Sequence, residues 1–160
     1  MSAPVTTASI WEELGRRLFA VVSFTNAAGE PRSAGIVYVV EDRALWVGTE
    51  TDSWKARHLR RRPAVAVTVP IAKRIRFLPM IKIPDATITF HGSAAVLAVD
   101  DVPPTVVHAL FRGREDDDDL RSRTCIVRID PAGEFVTYGI GVSLMTMRDQ
   151  VAARGRAPVG

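Results

Sequence analysis

The sequence predicts a mainly β protein of α+β class, a closed antiparallel barrel of six or seven strands with a few short helices. Apolar, β-branched runs recur along most of the chain, separated by turns rich in glycine, proline, asparagine and aspartate. No strand–helix–strand alternation is present, which argues against a doubly wound parallel sheet. Only one short and one medium helical pattern interrupt the strands, the connectivity of a small closed sheet. The 160 residues are 47% hydrophobic and 24% charged, which suits one domain (1–160) able to bury its own core.

Residues 1–19 read as an N-terminal helix. Thr7 or Ser9 is placed to cap it, and Ile10, Leu14 and Leu18 fall on one stripe. A strand is expected over 20–25, then a turn at Asn26-Ala27-Ala28-Gly29, a strand over 32–40, a turn at Glu41-Asp42-Arg43 and a strand over 44–49. Ser53 can cap a short helix over 54–62 that Pro63 halts. A buried strand follows over 64–69. The stretch 71–84 mixes Lys73, Arg74, Arg76 and Lys82 with bulky apolar side chains and two prolines, which restricts it to a loop, an edge strand or a broken helix.

A long strand is expected over 86–99, with a bulge at Gly92. Asp100 or Asp101 then caps a helix through Val106, Leu110 and Phe111, and 114–119 reads as an acidic surface loop. Strands over 123–129 and 134–140 form a hairpin across Pro131-Ala132-Gly133. The tail 143–160 is expected to be helical to about Ala153 and frayed beyond.

Charge is the feature that bears on function. Between Asp52 and Asp85 lie nine Lys and Arg residues and no Asp or Glu, so the remainder carries 12 basic against 18 acidic residues. A net charge of +3 therefore conceals a polarised molecule suited to an anionic partner. Nucleic acid is disfavoured, because Trp54 and Phe77 are the only aromatic residues in the basic run able to stack on bases. Peripheral contact of 71–84 with an anionic membrane surface is an alternative, given its basic and apolar mixture.

His58, His91 and His108 sit on different elements without ligand spacing, so no metal site is expected. Cys125 lies in an apolar run and reads as a packed thiol. No apolar run reaches membrane-spanning length and no secretory leader pattern starts the chain, so a cytoplasmic location is expected. No nucleophile or general base stands out. An enzyme built on this chain needs a bound cofactor to supply the chemistry.

The informative cluster runs from Thr49 to Leu59, from a strand end into a helix start. The first turn of a helix presents unpaired N–H groups and a partial positive charge. With the hydroxyls of Thr49, Thr51 and Ser53 and the ammonium of Lys55 it can form a phosphate cradle; the alternative is a capped surface helix with a solvated basic face.

Residues 20–69 resemble the FMN-binding split-barrel superfamily, which includes pyridoxamine 5'-phosphate oxidase-like proteins and F420-dependent reductases. The resemblance rests on Pro31-Arg32-Ser33-Ala34-Gly35-Ile36-Val37-Tyr38, Leu45-Trp46-Val47-Gly48-Thr49, Ser53-x-Lys55-x-Arg57-x-Leu59 and Arg62-Pro63-x-Val65-x-Val67. It implies a split antiparallel β-barrel that forms a homodimer. It also implies F420 or FMN as cofactor, with hydride transfer to or from a small organic substrate. Thr49, Thr51, Ser53 and Lys55 are then phosphate ligands, with Arg57 beside them, while Gly35 and Val37 contact the ring. Trp54 either flanks that ring or packs against the fold. The surplus of cations favours F420, whose anionic tail Arg57, Arg60, Arg61, Lys73, Arg74, Arg76 and Lys82 can guide. A non-enzymatic cofactor-binding or surface-docking protein of the same fold is the alternative.

Overall fold

The computed structural model describes residues 5–73 and 84–160. Helix α1 spans Thr7–Gly15. Its cap is Thr6, one residue earlier than expected: the Thr6 hydroxyl accepts from the Ser9 amide at 3.2 Å and the Ser9 hydroxyl accepts from the Thr6 amide at 3.1 Å. Ile10 and Leu14 are buried, whereas Leu18 lies past the helix end and is exposed.

Strands β1 (Phe19–Thr25) and β2 (Pro31–Val37) pair across a tight turn in which Gly29 adopts φ +77°. The single strand expected over 32–40 is divided. Tyr38 leaves the ladder, its amide donating to the Leu18 carbonyl at 3.0 Å and its hydroxyl to the Leu14 carbonyl at 2.9 Å. Strand β3 (Val39–Glu41) then turns through Asp42 and Arg43, both at positive φ, into β4 (Ala44–Glu50). Burial holds the Tyr38 hydroxyl well above the ordinary tyrosine range, so it acts as a neutral donor. Tyr38→Phe removes one of two donors to the Leu14 carbonyl, which keeps the Arg17 amide at 3.1 Å, and is expected to cost about 1 kcal/mol in urea unfolding; an unchanged midpoint would show that this bond contributes nothing.

Helix α2 (Trp54–Arg61) starts where Ser53 accepts from the Ala56 amide at 3.2 Å, and it buries Ala56 and Leu59 against the sheet. Strands β5 (Ala64–Ile71), β6 (Ala86–Ala98) and β7 (Thr124–Tyr138) follow, with β8 (Arg154–Pro158) near the end of the chain. Helices α3 (Pro104–Phe111) and α4 (Asp118–Arg123) connect β6 to β7. Asp100 and Asp101 do not cap α3; they lie in a 3-10 turn, and Pro103 precedes the helix without a side-chain cap. The expected acidic loop over 114–119 ends as the start of α4, capped by Asp117. Of the stretch 71–84, Ile71 closes β5 and Lys73 donates to the Val142 carbonyl at 3.2 Å, while 74–83 lie outside the described residues.

The described strands form one antiparallel eight-stranded sheet in the order β2-β1-β5-β6-β7-β4-β3, with β8 added beside β7. The two edge strands, β2 and β3, are consecutive in sequence. The sheet therefore curls until its edges meet at Tyr38, and a split barrel results. Its interior is filled by Val22, Ile36, Val47, Val67, Ile88, Val127 and Ile129 from six strands. A smaller outer cluster packs Val106, Val107 and Phe111 of α3 on Trp46 and Ile126.

The expected hairpin at Pro131-Ala132-Gly133 is instead a bulge inside one 15-residue strand. Thr89 pairs with Val136 and His91 with Ala132, so β7 carries the extra residues, with Gly133 at φ +71°. Gly92 stands beside this irregularity for a different reason. A Cβ there would sit 2.2 Å from the Asp130 carbonyl oxygen, so only glycine lets the two strands approach. The tail also departs from expectation: residues 143–153 form turns around a 3-10 segment, and the region expected to fray contains β8.

One buried hydroxyl is unsatisfied. Thr137 is 1% exposed and its Oγ1 has no protein partner among the described residues. Thr137→Val keeps the shape and removes the stranded polar atom, so it is expected to stabilise the fold by about 1 kcal/mol. A lowered urea midpoint would contradict this.

Candidate functional site

The end of β4 and the start of α2 place three of the sequence-derived candidates side by side. Thr49 and Ser53 approach with their hydroxyl oxygens 3.3 Å apart. Lys55, in the first turn of α2, lays its stem along an apolar slot lined by Val22, Ile36, Val47 and Leu59 at the end of the barrel interior, and Thr49 lines the same slot. The Lys55 ammonium makes no ion pair or hydrogen bond among the described residues. The amides of Trp54 and Lys55 belong to the first turn and have no intrahelical acceptor. Two hydroxyls, two amides without intrahelical acceptors and a lysine without a protein partner thus lie on one strand-to-helix turn, a donor set whose chemistry fits a phosphate dianion.

Thr49 also borders a cleft of about 370 Å³ on the outer side of the sheet. Val37 and Gly48 form one wall; Leu110 and Phe111 of α3, with Arg114 and Leu120, form the other. Arg114 is held at this wall by Asp117 at 2.7 Å. The α3–α4 wall carries no signal in the sequence, because its contacts with β4 span some sixty residues and its apolar positions read simply as a helix's packed face.

The remaining candidates lie elsewhere. Thr51 faces a second cleft on the far side of α2, and its amide donates to the Arg123 carbonyl at 2.9 Å. Gly35 lies under the Phe19 ring, where an added Cβ would meet a ring carbon at 2.9 Å. Trp54 is 42% exposed and packs on Phe24, with ring centroids 5.4 Å apart, and on His58 at 6.3 Å. Arg57 points to solvent from α2. None of Lys55, Arg57, Arg60, Arg61 and Arg62 is ion-paired among the described residues, so the field of this segment is not cancelled locally.

Cys125 is buried, with Sγ 3.9 Å from the Glu50 carbonyl oxygen. Burial pushes its thiol up, against a smaller opposing influence from Arg60, so it is a neutral packed group. Among the described residues no group of three His, Cys, Asp or Glu side chains is placed to hold a metal, and no helix is long and apolar enough to cross a membrane.

No family model matches the sequence, and no curated protein matches it closely enough to count as a relative. Solved structures do match. The haem storage protein HutZ of Vibrio cholerae superposes with a TM-score of 0.64 at 17% identity, covering 86% of this chain and 98% of its own. An F420 reductase gives 0.53 at 17% identity over 78% and 94%. A FAD-binding protein from Mesorhizobium loti gives 0.56 at 13% identity over 82% and 91%. This chain has the split-barrel fold. Flavin, deazaflavin and haem proteins share it, so the split barrel itself does not select the ligand.

Proposed function

We propose that this protein is a flavin- or deazaflavin-binding oxidoreductase whose cofactor phosphate is held by Thr49, Ser53 and Lys55. The observation that carries the reading is that Lys55, without a protein partner among the described residues, shares one strand-to-helix turn with two neighbouring hydroxyls and the open first turn of α2. A dianion there gains several charge-assisted hydrogen bonds at once. The cofactor, when bound, supplies the hydride chemistry; the chain supplies position and shelter. Val37 and the Leu110–Phe111 wall offer an apolar flank to a planar ring. The substrate is a small organic molecule that reaches the ring from the same cleft.

F420 is preferred over FMN because Lys55, Arg57, Arg61 and Arg62 together exceed what one phosphate requires. The working unit is a homodimer. Leu18, Phe19 and Val37 are 59%, 48% and 55% exposed, and Phe19 and Val37 face each other across β1 and β2, a surface that a second copy can cover. A haem reading is not favoured, since the described lining of the 370 Å³ cleft contains no His, Cys or Met to ligate iron.

The test is a visible spectrum of the purified protein followed by separate titrations with FMN, F420 and haemin. Saturable binding of FMN or F420, followed by substrate-dependent bleaching or recovery of its absorbance, is expected. Binding of haemin alone, or of no cofactor at micromolar concentration, overturns the proposal; binding without turnover reduces it to a cofactor carrier.

A further inference from the structure

We infer that the cleft on the far side of α2 is a second ligand site, built for a zwitterionic small molecule with an apolar body, such as an apolar amino acid. The cleft holds about 600 Å³, within the range of small-molecule sites. Thr124 borders both clefts, but the remaining lining is different. Val96 and Leu97 of β6 and Val99 just after it add apolar groups to a lining that is otherwise polar and charged.

Four charged side chains line it, and they do not behave alike. Arg121 is neutralised: it pairs with Asp100 and donates to the Glu115 carbonyl at 3.1 Å. Arg60 and Asp118 are left over. Arg60 uses one nitrogen on the Thr51 carbonyl at 3.1 Å and reaches no carboxylate among the described residues. Asp118, in the first turn of α4, receives no donor from them either. A cation and an anion therefore line one cleft, on two different helices, without closing on each other. A ligand carrying both charges satisfies both, its carboxylate on Arg60 and its ammonium on Asp118, while its body has the apolar groups of Val96, Leu97 and Val99 to rest on. A simple anion or a simple cation satisfies one and leaves the other facing it with like sign.

The site is independent of the cofactor reading and is tested on protein without cofactor. Backbone amide resonances of Leu97, Ala98, Ser122 and Thr124 are followed during titration with L-phenylalanine, with 3-phenylpropanoate, which lacks the ammonium, and with 2-phenylethylamine, which lacks the carboxylate. Saturable shifts with phenylalanine are expected, with each analogue about tenfold weaker. Arg60→Gln should abolish the advantage of phenylalanine over the amine, and Asp118→Asn its advantage over the acid. Each variant keeps its response to the remaining analogue, which also reports an intact fold. The inference is overturned if 3-phenylpropanoate binds as tightly as phenylalanine, if either variant leaves phenylalanine binding unchanged, or if phenylalanine produces no saturable shift at these amides.

Discussion

Lys55→Met is expected to weaken binding of FMN or F420 by about ten- to a hundredfold while leaving the protein as stable as before. The affinity estimate follows from one charge-assisted hydrogen bond to a phosphate, worth about 1.5–3 kcal/mol, at about 1.4 kcal/mol for each factor of ten. Stability is spared because methionine keeps an unbranched stem along Val22, Ile36 and Leu59, and the lost ammonium had no protein partner to abandon. Thr49→Val tests the same assignment from the other side. If both groups hold one phosphate, the double variant should lose less than the two single losses combined, because each loosens the other's ligand. The ionic share should shrink with added salt in the wild type and far less in Lys55→Met. Equal affinities of wild type and Lys55→Met, measured by fluorescence titration at low salt, would remove the phosphate from this site. Arg57→Ala should matter little for FMN, since Arg57 points outward from α2.

That cluster was readable before the fold was known because it is local. Thr49, Ser53 and Lys55 lie within seven residues, and a strand end followed by a serine cap fixes their relative positions. Thr51 shows the limit of such reading. Strand alternation would keep it on the face of Thr49, but β4 ends at Glu50 and the chain turns, which sends Thr51 to the opposite cleft. The presence of Arg60 and Asp118 in the lining of one cleft, like the α3 wall over β4, depends on contacts between distant segments and leaves no trace in spacing.

The strands follow the same division. Apolar, β-branched runs bounded by turn residues mark β1, β4, β5 and β6 to within a residue or two, because each is buried in the barrel on at least one face. Pro131-Ala132-Gly133 has the chemistry of a turn, and a glycine at positive φ serves a bulge as well as a hairpin. Only the 13-residue partner β6, which pairs on both sides of the irregularity, makes it a bulge. The break at Tyr38 is set by carbonyls of Leu14 and Leu18, and alternation alone runs straight through it. Strand β8, Arg154–Pro158, has a composition poor for strands and forms because the second half of β7 offers it an edge.

Phe135→Ala is expected to cost about 3–5 kcal/mol, enough to threaten folding of a domain whose whole stability is of order 5–15 kcal/mol. Phe135 is fully buried on β7, just past the bulge that turns the strand inward. Its ring meets Trp11 of α1 edge-on at 5.4 Å and Phe90 of β6 edge-on at 5.5 Å, so one side chain ties the N-terminal helix to two central strands. Interiors are close-packed, so removing a ring that two aromatic neighbours touch leaves a void that collapses only at a cost. Trp11 is further fixed by its ring N–H donating to the Val159 carbonyl at 3.2 Å, which binds the last strand's end into the same arrangement. Loss of the ring should therefore loosen α1 and β8 together, and amide exchange should accelerate in both before it does in β5. Phe135→Leu, which refills most of the volume, should recover at least half of the lost stability in urea unfolding. If alanine and leucine variants unfold at the same midpoint, the aromatic edge contacts rather than the filled volume hold this junction. If neither variant shifts it, α1 is not anchored through Phe135 at all.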